Sequence, residues 1–342
     1  MRFKRIGRWA IALTSMVTGA CSPLSALDSL VPTDTYTAET GVPYGPGERG
    51  YLDIYRPAGH QRPSPVIIFF YGGSWKSGAR ADYRFVGEAF ASRGFVTVIP
   101  DYRLFPTVKF PEFLVDNARA VAWVQANIAR YGGDKQRLFL AGHSAGAYNA
   151  AMLGVQPKHL QDAGGEADGI CGIMSLAGPI SFDPTTYDSV KEIFTPIEDS
   201  DRTRPAKLVR PGAPRFLLIH GKGDTTVYPE NAIEFDAAMK AAGNSSTVHL
   251  VPKIGHYRII ASLASPLSGW LPPLAERMAA FARAQRPCRT GVFAAACSIV
   301  HLRTSAGGVR RAGPTLAPPA EKLALAQTSR QPRIRRRSDR RP

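Results

Sequence analysis

The feature that most restricts the fold is a series of short, uninterrupted apolar runs, each separated from the next by a helix-like stretch. Pro65 to Phe70, Phe95 to Ile99, Arg137 to Ala141, Ile170 to Leu176 and Phe216 to His220 all have strand length. A run without polar alternation suits a strand covered on both faces, as parallel strands are. Between the runs lie Ala81 to Arg93, stopped by Gly94, and Pro111 to Arg130, with Phe113, Ala120, Val121, Val124 and Ile128 on one stripe. Tyr51 to Tyr55 reads as an early antiparallel strand and Thr247 to Val251 as a late parallel one. Asn231 to Ala242 and Leu274 to Ala284 complete the helices. Repeated βα units predict an α/β fold with a mostly parallel central sheet and helices on both faces.

A chain of 342 residues is long enough for one large domain of this kind with appendages. The formal charge of +16 raises the question of a nucleic-acid partner. Its distribution argues against one. Residues 1–21 hold Arg2, Lys4, Arg5 and Arg8 without an acid, and residues 286–342 hold thirteen Lys/Arg against Glu321 and Asp339. About one net positive charge remains for 22–285, so the basicity belongs to the ends. No nucleic-acid partner is expected.

The N-terminus reads as an export signal. Its basic start leads into Trp9 to Val17, shorter than the roughly 20 residues of a spanning helix, and then into Thr18-Gly19-Ala20-Cys21. The last four residues resemble a bacterial lipobox, with Thr18 where Leu is usual. Two outcomes stay open: a lipoprotein anchored to the membrane through lipidated Cys21, or a cleaved signal and a free periplasmic protein. The expected organisation is 1–21 signal, 22–46 linker or N-terminal extension, 47–285 the α/β domain and 286–342 a basic, disordered tail ending near Arg335-Arg336-Arg337. Residues 179–213, rich in Pro, Asp and Thr, are too long for a routine connection and read as a lid insertion. Cys171 lies in an apolar run and reads as an inert core residue, whereas Cys288 and Cys297 could pair in an oxidising compartment. No cysteine spacing suggests a zinc site.

Gly142-His143-Ser144-Ala145-Gly146 lies between the run Arg137–Ala141 and the helix-like Ala147 to Leu153. A serine on a tight strand-to-helix turn has its Oγ pushed out over the sheet edge, and side chains in place of the flanking glycines would collide with neighbouring backbone. The alternative is an ordinary turn with Ser144 as helix N-cap. Acyl transfer also needs a base, an acid to orient it and donors for an oxyanion. Chain order makes His256, after the run Thr247–Val251, the base. His301 falls in the tail, His220 ends a strand too early, and His143 is expected to point away from the site. Asp224, after Phe216–His220, is the acid, with Glu230 as a rival better suited to starting the next helix. Gly72 and Gly73, after Val66–Phe70, and Ala145 at the head of the nucleophile helix are the candidate oxyanion donors. Trp75 and Tyr148 are candidate pocket-lining residues, with core packing as the alternative.

Six segments together resemble the α/β-hydrolases of the esterase/lipase branch, the group of hormone-sensitive-lipase-like carboxylesterases, prenylcysteine methylesterases and arylformamidases. They are Tyr71-Gly72-Gly73-Ser74-Trp75, Pro100-Asp101-Tyr102-Arg103, Tyr131-Gly132-Gly133-Asp134, Gly142-His143-Ser144-Ala145-Gly146, Gly221-Lys222-Gly223-Asp224 and Gly255-His256. The resemblance covers residues 47–285. It implies an α/β-hydrolase fold and a Ser144–His256–Asp224 triad cleaving a small-molecule carboxylic ester through an acyl-enzyme, with no metal or organic cofactor. An amide or formamide hydrolase is the alternative within this fold, and a non-catalytic binding protein the alternative outside enzymology. The oxyanion segment of the branch usually begins with His, and here Tyr71 stands in that place.

Overall fold

The apolar runs become the middle of one eight-stranded sheet. The computed structural model describes residues 27–59, 62–285 and 287–288. All of them fall in Met1–Ala296, the first of two units into which the chain divides. The expected signal segment 1–21 with Cys21, as well as Cys297, His301 and the arginine-rich end at 335–337, lie outside the described residues.

The strands are β1 (Tyr36–Pro43), β2 (Tyr51–Pro57), β3 (Ser64–Phe70), β4 (Val96–Pro100), β5 (Gly133–His143), β6 (Ile170–Leu176), β7 (Phe216–Gly221) and β8 (Ser246–Val251). Their order across the sheet is β1-β2-β4-β3-β5-β6-β7-β8. β2 runs antiparallel to β1 and β4, and every pair from β4 to β8 is parallel. Helices α1 (Arg84–Ala91), α2 (Glu112–Asn127), α3 (Ala145–Val155), α4 (Pro157–Asp162), α5 (Lys191–Phe194), α6 (Glu230–Ala241), α7 (His256–Ala261) and α8 (Leu274–Arg283) connect or follow them.

Period-two alternation divides the core into two layers. Val66, Ile68 and Phe70 of β3 enter one buried cluster, and Ile67 and Phe69 enter the other. Phe85, Val86 and Phe90 of α1 and Met278 of α8 cover the Ile67 side, while Val121 and Val124 of α2 and Phe235 of α6 cover the Val66 side. Fully burying one such side chain stabilises the fold by about 1.5–3 kcal/mol. The expected stripe on α2 is wholly buried, from Phe113 to Val124 and on to Ile128 in the short 3-10 turn beyond it. Gly132 ends that turn at φ +75°, a left-handed cap that sends the chain into β5.

Two expectations are corrected. Of the stretch expected as linker or N-terminal extension, residues 36–43 form β1, which pairs with β2 through a bulge between Glu39 and Val42, so this part extends the sheet and is not a linker. Its residues are mostly exposed, because an edge strand buries little, so no apolar pattern announced it. Cys171 is not an inert core thiol: it is bridged to Cys288, 117 residues away, with Cα atoms 5.1 Å apart. That bridge excludes the expected Cys288–Cys297 pair. Among the described residues, no helix is long and apolar enough to cross a membrane.

Candidate active site

The turn after β5 is shaped by contacts that only glycine permits. Ser144 has φ +54° and ψ −123°, in the sparsely populated region where strain persists only if the surroundings enforce it. A Cβ on Gly146 would lie 2.0 Å from the Phe70 carbonyl oxygen of β3, and one on Gly142 would lie 2.3 Å from that of Gly146. The Ser144 amide donates to the Leu176 carbonyl of β6 at 2.9 Å, and the Ser144 carbonyl accepts from Tyr148 at 3.1 Å. Ser144 thus stands between the C-terminal end of β5 and the first turn of α3, near the middle of the sheet. Open parallel sheets place ligand sites at this edge.

His256 and Asp224 reach the same edge from the loops after β8 and β7. His256 Nε2 is 2.9 Å from Ser144 Oγ, and His256 Nδ1 is 2.8 Å from Asp224 Oδ2. Asp224 Oδ1 accepts from the amides of Thr226 and Val227, both at 2.9 Å. Burial opposes ionisation of Asp224, but hydrogen bonds from His220, His256 and the Val227 amide outweigh it and hold the carboxyl below its ordinary range. The rival acid Glu230 starts α6, as expected for a side chain favoured by the helix dipole. The three side chains form a linear relay: an acceptor, an imidazole bonded at both nitrogens, and a hydroxyl.

Two histidines set aside by chain order belong to this cluster. His143 does not point away. Its Nε2 lies 3.0 Å from the His256 carbonyl oxygen, its ring centroid is 4.8 Å from that of His256, and burial first, then the His256 charge, pushes its pKa down to about 3. A neutral His143 therefore donates to the backbone of His256. His220 Nε2 is 2.8 Å from the Val227 carbonyl and 3.5 Å from Asp224 Oδ2, so it steadies the acid loop. The parity of strand residues gave no sign that either ring turns inward.

The oxyanion segment follows β3. Gly73, Ser74 and Trp75 have φ of +119°, +52° and +57° in succession. Among the described residues no partner accepts the amides of Gly73, Ser74 or Ala145. Gly72 behaves differently. A Cβ there would come within 3.1 Å of His143 Nδ1, the His143 carbonyl oxygen and Ser144 Cβ, so Gly72 provides close packing under the nucleophile. An open cavity adjoins Ser144, lined by Ser74, Trp75, Ala145, Tyr187, Val190 and Tyr228 among others. Ser74 was not anticipated; its signal is its place one residue past Gly73. Trp75 lines the cavity as expected. Tyr148 does not: it is fully buried behind Trp75, edge-on to it at 5.2 Å, and its hydroxyl donates to the Thr203 carbonyl. The insertion 179–213 supplies Tyr187, Ser189 and Val190 to the cavity wall.

Tyr71 braces this loop. Its ring stacks on Tyr102 at 4.7 Å, its hydroxyl donates to Asp101 Oδ1 at 2.8 Å and accepts from Arg49 Nη2 at 2.7 Å. Asp101 also pairs with Arg80, which bonds Asp53 at 2.8 Å. Among the described residues no group of three or more His, Cys, Asp or Glu side chains could hold a metal ion.

The sheet order, the strained turn and the loops gathered at one edge define an α/β-hydrolase of the esterase/lipase branch. Residues 52–239 match the model of the BD-FAE family, and the chain belongs to that family. It is 28% identical to esterase LipC of Mycobacterium tuberculosis, over 65% of this chain and 60% of that protein. It is 29% identical to a probable isoprenylcysteine alpha-carbonyl methylesterase of Oryza sativa subsp. japonica, over 69% and 61%. The chain thus spans about three fifths of the length of these curated relatives. A carbohydrate esterase from gut microbiota shares the fold with TM-score 0.65 and 22% identity, over 74% of this chain and 98% of that one.

Proposed function

We propose that the protein is a serine hydrolase that cleaves carboxylic esters of small molecules. The single observation that carries this reading is the relay Asp224–His256–Ser144, with contacts of 2.8 and 2.9 Å, beside an open cavity. In this reading Ser144 Oγ attacks the ester carbonyl carbon while His256 Nε2 takes its proton. The carbonyl oxygen becomes an oxyanion facing the free amides of Gly73, Ser74 and Ala145, at the positive end of α3. Collapse breaks the bond to the alkoxy oxygen, which leaves as the alcohol with the proton from His256. Water, deprotonated by His256, then attacks the acyl carbon, and Ser144 recovers its proton as the acid departs. Asp224 keeps Nδ1 protonated and the ring oriented, and accepts no proton itself.

The names of the relatives, esterases and a methylesterase, support an ester rather than an amide. The Cys171–Cys288 bridge supports an exported protein in an oxidising compartment. The test is p-nitrophenyl acetate and butyrate hydrolysis by the full chain beside Ser144→Ala, with fluorophosphonate labelling. Turnover and labelling should both vanish in the variant. Equal rates would sink the serine-hydrolase reading, and turnover of N-formylkynurenine without ester cleavage would replace it with a formamidase.

A further inference from the structure

The loop that carries Gly73, Ser74 and Trp75 has positive φ at three consecutive residues and is strained at the two that bear side chains, Ser74 and Trp75. Most of what holds it is local. The Gly73 carbonyl accepts from Lys76 and Ser77, and the Trp75 carbonyl accepts from Phe105. Lys76 Nζ on the same loop donates to the Ser189 carbonyl at 2.8 Å, and one buried side-chain bond ties the loop to α3: Trp75 Nε1–H donates to Asn149 Oδ1 at 2.9 Å. Asn149 sits on α3 one turn after Ala145, on the same face of the helix. The bond therefore ties the strained loop directly to the helix whose first amide faces the cavity from the other side.

The helix surrounds Asn149 with Ala147, Tyr148, Ala150, Ala151 and Met152, all buried. Asn149 is itself fully buried, and its Nδ2 has no hydrogen-bond partner. A buried amide satisfied at one end is costly, and an apolar residue would suit the packing better. Its single side-chain hydrogen bond is with the loop. Resting on the serine-hydrolase reading, we infer that Asn149 is a positioning residue: through Trp75 it fixes the spacing between the loop amides of Gly73 and Ser74 and the helix amide of Ala145, and so sets how well they fit a tetrahedral oxyanion. Displacements well under an ångström at such donors matter because they act on charge that exists only in the transition state.

The experiment is a double-mutant cycle of Asn149→Leu and Trp75→Phe in p-nitrophenyl acetate hydrolysis, with parent and S144A alongside. N149L is expected to lower kcat about tenfold with KM within about twofold, and to weaken a trifluoromethyl ketone, which forms a tetrahedral adduct, by the same factor. The double variant, which removes both polar partners, should melt close to the parent yet stay as slow as N149L alone. If N149L does not fold, W75F and the double variant carry the comparison. Parent activity that depends on Ser144 with kcat of N149L unchanged, or losses that multiply in the double variant, would overturn the positioning role alone. No Ser144-dependent turnover in the parent would overturn the serine-hydrolase reading, and this role with it.

Discussion

The imidazole of His143 donates to the backbone carbonyl of His256 at 3.0 Å, so the residue before the strained serine holds the loop of the ring that faces that serine. Burial keeps His143 neutral far below the ordinary histidine range, which leaves its hydrogen bond intact in mild acid. Its folded pKa, about 3, lies below the unfolded value of 6.5. Between these values the unfolded chain takes a proton that the native chain refuses, so this stability is full above 6.5 and lost progressively as pH falls toward 3. His143→Phe should therefore show a shallower decline of melting temperature with acid than the parent. His159 and His249 are also depressed by burial, so the measured quantity is the difference between variant and parent. Parallel declines would show that His143 is not the source.

Tyr71→Phe keeps the stacked ring and removes the hydroxyl between Arg49 and Asp101. Asp101 retains its contacts to the Arg80 side chain and amide, so the fold should survive. A loss of about 1.5–3 kcal/mol in urea unfolding is expected, because the hydroxyl bonds two charged groups, Asp101 and Arg49. The same variant should slow ester cleavage a few-fold, because the loop after Tyr71 loses an anchor. Unaltered unfolding would mean that stacking on Tyr102 suffices to hold it.

Two glycines separate steric from conformational cost. Gly146→Ala puts a methyl group 2.0 Å from the Phe70 carbonyl and should yield no soluble, folded protein. Gly243→Ala meets nothing within 4 Å but sits at φ +74°, and should cost only about 1–2 kcal/mol. Expression level and thermal melting read both. A well-folded G146A would contradict the geometry of the turn.

Cys288→Ser opens a loop of 117 residues. A loss of about 2–4 kcal/mol is expected, read as a lower denaturation midpoint. Peptide mapping of the parent without reductant should return the Cys171–Cys288 pair. Recovery of Cys288 joined to Cys297 would overturn the bridge.

The site was legible in outline because Ser144 and Asp224 each follow an apolar run and His256 follows the strand-like Thr247–Val251, and such strands have C-terminal ends that share one edge. The supporting residues were not legible for specific reasons. β1 is exposed, so its alternation carries little apolar signal. His143 and His220 lie on strands where parity says only which face a side chain takes, not which loop packs there. Asn149 is a lone polar residue in an apolar helix, and its meaning depends on Trp75, 74 residues earlier. Cys171 and Cys288 are far apart in sequence, and spacing is silent about such pairs. What one strand and its turn determine could be read along the chain; what two distant segments determine together could not.

The bridge has a further consequence through its position. Cys171 is the second residue of β6, and the far end of that strand, at Leu176, receives the amide of Ser144. Five residue steps of strand separate Cys171 from Leu176, about 16 Å. Within this unit, the rim where Cys288 is fastened is therefore the end of the sheet opposite the cavity. A linker, dye or solid support attached on that rim would leave the cavity mouth facing the solution, so an immobilised form of this protein should keep its entrance open without redesign of the front.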